Sequence, residues 1–332
     1  MKSLLCLPIL VLVSLALAGC GGGSGEKNGE KNGEKGGTTV KLTIATAPST
    51  GAFAPVGAGI ANAVNAATNI NLKVSTRGTK GTMENIRLLD AGRVQFGMAN
   101  SAISYFSAKG EDGWDKPYPL KSVVTIAPNI SQFVALKSSG VKTIADFKGK
   151  RVVVGPAGAG FEYFIKPILE AHGVSYDDFQ DLNAKPGEAG NMLKNGDADV
   201  AFLGGAVPMP AVSAVAAQKE VIFVPFDPAA VAKLQAEYPF FQSKTIAADK
   251  YEFLAADFQA ISCGDMQLIT TDSVAEDTVY QFTKAMYNNR AEVVKSHPAG
   301  KAINPKNAAR HVGLDFHPGA LKFYKEAGLS GQ

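Results

Sequence analysis

Three short segments rich in hydroxyl and amide side chains are the best candidates for binding chemistry in this 332-residue chain. They span residues 46–53, 79–85 and 100–101, and each follows a segment whose alternating apolar residues predict a β-strand. The carboxyl ends of parallel strands lie at one edge of a sheet, so the loops that follow them converge on a common crevice. One such loop alone would be a helix cap, but three together predict a polar crevice.

The glycine-rich segment at 155–160, GPAGAG, is a second kind of candidate. It lacks the lysine and hydroxyl that end a P-loop, and it lacks the GxGxxG spacing of dinucleotide-binding loops. We therefore expect its backbone N–H groups, at the start of a helix, to hold an anion that is not a nucleotide. The alternative is a tight strand-to-helix turn that binds nothing.

The chain shows few of the residue patterns that catalysis or metal binding needs. The four histidines have no HExxH spacing and no cysteines beside them, so a metal site is not expected. His317, just before Pro318-Gly319, is expected to be structural. No acid–base pair or nucleophile can be nominated, so we expect neither an enzyme nor a bound cofactor.

Strand-like segments, glycine-rich loops and helical segments alternate along the chain, which predicts an α/β fold with parallel sheets and right-handed crossovers. The residues from Thr39 to Gln332 exceed the usual size of one domain, so we expect two such sheets. Strands are predicted at 40–46, 72–76, 95–99, 132–136, 151–154, 200–203, 221–224 and 266–270. Helical segments are predicted at 55–67, 83–91, 143–147, 161–172, from 206 to 217, at 229–237 and at 277–296.

The N-terminus carries an export signal. Lys2 precedes an apolar run, and small residues come just before Cys20, as a signal peptidase requires. Leu17-Ala18-Gly19-Cys20 resembles the lipobox of bacterial lipoproteins, which implies a signal peptide over 1–19 and lipidation of Cys20; an ordinary secretory peptide is the alternative. The rest of 20–38 is an EKNG-type repeat without apolar residues, for which we expect a disordered leash.

Composition and cysteine usage exclude several classes of protein. The chain is 46% hydrophobic and 19% charged, and its formal charge of +3 is too weak to indicate nucleic-acid binding. Of three cysteines, Cys6 lies in the signal peptide and Cys20 at the lipidation site, so Cys263 is left without a disulfide partner. We expect Cys263 to be a buried, small apolar residue.

Six segments in order resemble the TAXI family (TRAP-associated extracytoplasmic immunogenic) of solute receptors, over about Leu42 to Gly328. Each segment alone is weak, whereas six in the family's order are specific. They are IATAPSTGAFAPVGAGIANAVN at 44–65, TKGTMENIRLLDAGRVQFGMANS at 79–101, KTIADFKGKRVVVGPAGAGFE at 142–162, AFLGGAVPMPAV at 201–212, EDTVYQFTKAMYNN at 276–289 and FHPGALKFYKEAG at 316–328.

The resemblance implies a type II periplasmic-binding-protein fold, with two Rossmann-like α/β lobes and a ligand cleft between them. Lobe 1 would hold residues 39–130 plus 256–332, and lobe 2 residues 131–255. Such a receptor would close on a small carboxylate and deliver it to a TRAP membrane permease. It would work as a monomer on the periplasmic or cell-surface side, and its lipid alone would anchor it to the membrane. The implied binding residues are Ser49, Thr50, Gly51, Phe53, Thr79, Thr82, Asn85, Asn100 and Ser101 in lobe 1, and Gly158, Ala159, Gly160, Phe161, Gly205 and Ala206 in lobe 2.

The sequence departs from the family's pattern at several of these positions. Ala52, Phe53 and Ala54 stand where the family usually has hydroxyl side chains, which removes donors, so the glutamate linked to some members is not carried over. Lys80 stands where the family usually has glycine. We expect Lys80 to pair with a carboxylate of the ligand.

Two other functions fit the same sequence. The fold also serves receptors of ABC importers, which a neighbouring gene for an ATPase would indicate. A surface interaction lipoprotein, an antigen without a transport role, is the alternative from a different class, and an occluded cleft would favour it.

Overall fold

The computed structural model describes residues 38–47 and 52–329. Almost all of the predicted N-terminal region, residues 1–38 with the signal peptide, Cys20 and the leash, lies outside the described residues. Three predicted site residues also lie outside them: Ser49, Thr50 and Gly51.

The described chain alternates strands and helices. Its strands are β1 (Val40–Ala45), β2 (Leu72–Arg77), β3 (Phe96–Asn100), β4 (Leu120–Ile130), β5 (Phe133–Leu136), β6 (Arg151–Val153), β7 (Gln180–Leu182), β8 (Val200–Phe202), β9 (Val221–Phe223), β10 (Ser243–Ile246) and β11 (Phe258–Thr271). Its α-helices are α1 (Phe53–Asn65), α2 (Thr82–Asp90), α3 (Ser101–Lys109), α4 (Glu162–Ala171), α5 (Pro186–Asn195), α6 (Pro210–Ala216), α7 (Pro228–Glu237), α8 (Glu276–Asn288), α9 (Ala291–Ser296) and α10 (Pro318–Glu326). The predicted helical turn at 143–147 is a 3₁₀-helix, Ile144–Phe147.

The first sheet has the strand order β10-β11-β3-β1-β2, and β4 also pairs with β11. β1 is parallel to β2 and β3, with Ala45 opposite both Arg77 and Gly97. β11 is antiparallel to β3, β4 and β10. The predicted parallel pairing therefore holds for β1, β2 and β3, but it is wrong for β11, whose three neighbours all run antiparallel to it.

The second sheet has the strand order β7-β6-β8-β5-β9. β6 is parallel to β7 and β8, whereas β5 is antiparallel to β8 and β9. The α/β architecture with two sheets is confirmed, but both sheets are mixed. β10 falls within the predicted lobe 2 and yet extends the first sheet, and the lobe boundaries stay a prediction.

The predicted long helix at 277–296 is two helices, α8 and α9. Asn289 lies at the break, and its side-chain amide donates to the carbonyl of Ala63 in α1 (3.0 Å). α9 then packs closely on α1, where Gly59 leaves room: a Cβ there would lie 2.8 Å from the Cα of Val293. A close helix–helix contact thus overrides a continuous helical pattern.

Two apolar clusters fill the interior. One lies under the first sheet and includes Phe96 and Phe282, whose rings stack at 4.1 Å. The other, larger cluster runs through the second sheet and includes Phe106 and Trp114 from the first-sheet side. Cys263 is buried, as expected, and burial raises the pKa of its thiol. Within the described part of the chain, no helix has the length and hydropathy needed to cross a membrane.

Candidate ligand-binding site

The carboxyl ends of β1 and β2 open onto a pocket of about 510 Å³. Because β1 and β2 are parallel and in register from Val40 to Ala45, the loops that follow them lie side by side. The pocket wall consists of Thr46, Ala47, Ala54, Thr76, Gly78, Thr79, Lys80 and Glu84. The pocket is an open depression at the predicted crevice edge, and two of the predicted site residues, Thr79 and Lys80, line it.

Lys80 and Glu84 give this pocket its charged groups. The Lys80 side chain is exposed, while its backbone N–H donates to Glu84 Oε2 (2.8 Å). That bond fixes the Glu84 carboxylate in the first turn of α2, beside a helix N-terminus that has no side-chain cap. Glu84 lies in the predicted loop 79–85 but not among the predicted site residues, and an acidic side chain in the first turn of a helix is the signal that could have found it.

Asn85 is fully buried and holds the ends of the strands together. Its amide nitrogen donates to the carbonyls of Thr46 (2.6 Å) and Met98 (2.8 Å), and lies 3.3 Å from that of Ala45. The Thr79 hydroxyl lies 2.6 Å from Asn85 Oδ1 and 3.0 Å from the Thr46 carbonyl oxygen. These side chains hold the pocket floor in shape, and their contact with a ligand stays a prediction.

Thr82, Asn100 and Ser101 are also buried and hydrogen-bonded within the protein. Thr82 Oγ1 accepts from the Asn100 N–H (3.1 Å), and Asn100 Oδ1 accepts from the Ala102 N–H (2.9 Å), which caps α3. Ser101 Oγ accepts from the Asp265 N–H (2.8 Å). Asn100 thus performs the capping role that a single polar loop would have, while Thr82 and Ser101 accept from backbone N–H groups of β3 and β11.

The glycine-rich loop at 155–160 comes close to the first-sheet loops. Gly160 has a positive φ of 82°, and a Cβ there would lie 2.9 Å from Ile103 Cδ1 and 3.3 Å from Met83 Sδ. The loop therefore presses against the first turns of α2 and α3. Of the predicted anion-binding N–H groups, that of Ala159 donates instead to the Pro156 carbonyl within the loop (3.2 Å).

The remaining predicted residues lie apart from the pocket wall. Phe161 is half-buried against the rings of Phe164 and Phe202, at 5.1 and 5.9 Å. Gly205 exchanges two backbone hydrogen bonds with Ile130 (2.9 Å each), and Ala206 next to it is exposed. Phe53 begins α1 and packs on the first-sheet cluster.

The histidines serve as structural caps or surface groups. His172 Nε2 accepts from the Asp227 N–H (3.0 Å) while its Nδ1 lies 2.7 Å from the Ile168 carbonyl oxygen, so the ring is neutral with its proton on Nδ1. His317 Nδ1 accepts from the Gly319 N–H (3.2 Å) at the start of α10, as expected of a structural histidine. Burial lowers the pKa of both rings. Among residues 38–47 and 52–329, no cluster of three or more His, Cys, Asp and Glu side chains could hold a metal ion.

Several solved structures are similar to this chain at low sequence identity. The periplasmic aliphatic sulphonate binding protein SsuA from Escherichia coli is 16% identical, with a TM-score of 0.47, over 79% of this chain and 82% of its own. A protein from Bordetella bronchiseptica is 14% identical, with a TM-score of 0.48, over 87% and 89%. The lipoprotein Tp32 from Treponema pallidum is 10% identical, with a TM-score of 0.45, over 79% and 98%.

A family model matches far more of the sequence than any one motif. The model of the NMT1-like family covers residues 44–328, nearly the same span as the six matching segments. It includes every described element from the end of β1 to α10. The chain belongs to the NMT1-like family.

Proposed function

We propose that this chain is an extracytoplasmic solute receptor that binds a small carboxylate and delivers it to a TRAP-type membrane permease. The observation that carries the proposal is the 510 Å³ pocket at the carboxyl ends of β1 and β2, with the Lys80 ammonium at its wall. The ordered resemblance to TAXI receptors supports the same reading. The receptor binds its ligand without transforming it.

The charged groups of the pocket determine the orientation of the ligand. The ligand carboxylate pairs with Lys80 and also benefits from the positive end of the α2 dipole, which no side chain caps. The Glu84 carboxylate repels a second negative charge on the ligand, but it attracts an amino group. An amino-acid-like carboxylate therefore fits the pocket better than a dicarboxylate.

The second lobe completes the site by closure. Gly158 and Gly160 sit in the loop that already touches Met83 and Ile103, so a small rotation brings their N–H groups toward the pocket. Hinge closure of two lobes on a ligand is a common device in binding proteins. The lipid on Cys20 and the leash after it would keep this body near the membrane.

Thermal melting tests the ligand class. A carboxylate at a hundred times its Kd stabilises the folded state by about 2.7 kcal/mol, which raises the Tm by several degrees. We expect an amino-acid-like carboxylate to produce this shift and its amide to produce none. A broad panel of carboxylates without effect would refute the ligand class.

Crosslinking in native membranes tests the partner. Capture of a TRAP permease subunit is the expected result. Capture of an ATPase-driven importer would move the receptor to the ABC class, and capture of neither would favour the surface interaction lipoprotein.

A further inference from the structure

Two long neighbouring strands, β4 and β11, connect the two sheets. Ile130 at the end of β4 is bonded to Gly205, just beyond β8 of the second sheet. At the start of β11 the Phe258 ring packs on Phe223 of β9, 5.1 Å away, whereas Met266–Ile269 pair with β3. The β4–β11 ribbon therefore runs from one sheet into the other.

The ribbon is irregular where it leaves the first sheet. Ser262 lies opposite Ile130 and Asp265 opposite Pro128, so β11 holds one extra residue between these pairs. Gly264 within the bulge has a positive φ of 92°, and Pro128 has no N–H to donate. A bulge bends a strand and increases its twist. The ribbon thus bends at residues 262–265.

One guanidinium, that of Arg310, spans this bend. Its Nη2 pairs with the Asp265 carboxylate, its Nη1 donates to Gln242 Oε1 (2.9 Å), and its Nε donates to Asn307 Oδ1 (3.0 Å). The Gln242 carbonyl in turn accepts from the Ser262 N–H (2.8 Å). Arg310 therefore ties the bulge to the segment before β10 and to the loop between α9 and α10.

We propose that Arg310 is a positioning residue whose pair with Asp265 fixes the bend of the β4–β11 ribbon and hence the angle between the two sheets. For ligand binding the inference rests on the proposed function, because that angle decides how the loop at 155–160 meets the pocket. The angle itself can be measured without any ligand.

The burial of the pair supports a geometric role over a stabilising one. Asp265 is only 1% exposed, and burial raises the pKa of its carboxyl although Arg310 acts in the opposite direction. Buried ion pairs add little net stability, because desolvation offsets their attraction, but they demand specific geometry. A forked guanidinium with three separate acceptors meets that demand where a lysine cannot.

Trp114 offers a natural reporter of the angle. It is the only tryptophan of the chain and is 6% exposed. It follows α3 and lies 6.1 Å, ring to ring, from Tyr163 of α4, which packs with the second sheet. A change of angle exposes the indole and shifts its emission.

The test compares two charge-free double variants in the ligand-free protein. Arg310→Met with Asp265→Asn removes the ribbon pair without leaving a buried unpaired charge. Arg151→Met with Asp199→Asn removes a bidentate pair (2.9 Å) of the second sheet, away from the ribbon. We expect red-shifted Trp114 emission and a changed radius of gyration in small-angle scattering for the first variant only.

Arg310→Lys keeps a charge opposite Asp265 but lacks the fork, so a smaller shift in the same direction is expected. The proposal is overturned if the double variant Arg310→Met with Asp265→Asn melts cooperatively and keeps the Trp114 emission and the radius of gyration of the wild type. Should that variant not fold, wild-type values in Arg310→Lys overturn it equally. If the protein binds no carboxylate, these ligand-free measurements still decide the role of Arg310.

Discussion

Lys80 and Asn85 lie five residues apart in one loop and helix turn, yet the structure gives them opposite roles. Lys80 lies in the pocket wall with an exposed ammonium, whereas Asn85 is fully buried and its amide donates hydrogen bonds to carbonyls at the strand ends. Removing the first should change ligand affinity, and removing the second should change stability.

Lys80→Met is expected to weaken carboxylate binding about two- to five-fold, the range of an exposed ion pair. Lys73→Met is the matched control, since Lys73 is an exposed lysine on β2 outside the pocket wall. Calorimetric titration with the carboxylate found by melting measures both. Equal affinities in the two variants would remove Lys80 from the site.

Asn85→Ala is expected to lower the free energy of unfolding by about 3 kcal/mol, because it removes the buried amide hydrogen bonds to the carbonyls of Thr46 and Met98. Asn304→Ala, which loses exposed hydrogen bonds near its own position, should cost well under half of that. Urea denaturation measures both. A near-neutral Asn85→Ala would contradict the bracing role.

His172 should make stability depend on pH. Its pKa is lowered in the folded state from the ordinary 6.5, so the unfolded chain takes up the proton first as pH falls. Its contribution is therefore fully present above about pH 6.5 and is lost as pH falls below that value. His172→Gln should reduce the difference between the urea midpoints measured at pH 7.5 and 5.5. An unchanged difference would show that His172 does not cause this pH dependence of stability.

The sequence located this candidate site only in part, for a reason visible at these residues. Hydroxyls and amides at strand ends suit both ligands and helix caps, and their identity does not say which way they point. Asn100 is buried as a helix cap, and Thr82 and Ser101 are buried as acceptors for strand N–H groups, while Thr79 and Lys80 line the pocket.

At the scale of elements, apolar periodicity predicted many of the strands and helices, but it missed β4, β7, β10, α3, α5 and α10, and it found β11 only in part. Its prediction as 266–270 captured only the end of a strand that begins at Phe258. Ser262, Gly264 and Asp265 interrupt the apolar pattern because they form the bulge and its polar contacts. Local pattern fails where tertiary contacts replace apolar burial.

The loop at 155–160 supplies an element-scale prediction with an internal control. Gly158 and Gly160 both have positive φ, of 68° and 82°, but only a Cβ at Gly160 meets other atoms, those of Ile103 and Met83. Gly158→Ala should cost about 1–2 kcal/mol for its backbone conformation alone. Gly160→Ala should cost more, because it also pushes the loop off α2 and α3. Equal losses in urea denaturation would mean that the loop does not touch these helices in solution.

At the scale of the whole molecule, one apolar cluster belongs to the first sheet, while the larger cluster joins residues packed on both sheets. Phe106 of α3 is its link: its ring lies 5.8 Å from Tyr163, 5.7 Å from Tyr238 and 5.9 Å from Phe240. The first two partners belong to α4 and to the end of α7, which pack with the second sheet. Unfolding one sheet would therefore expose aromatic surface on the other.

This junction predicts that the described body unfolds in a single calorimetric transition, with equal calorimetric and van't Hoff enthalpies. Phe106→Ala should lower the free energy of unfolding by about 3–5 kcal/mol and split the transition in two, because it removes the shared contact. Phe282→Ala is the control: it empties a comparable space in the first-sheet cluster, next to Phe96, and leaves the junction intact, so its transition should stay single. Two transitions in the unmodified protein would show that the sheets do not unfold as one unit, and a split in both variants would show that Phe106 is not the specific link between them.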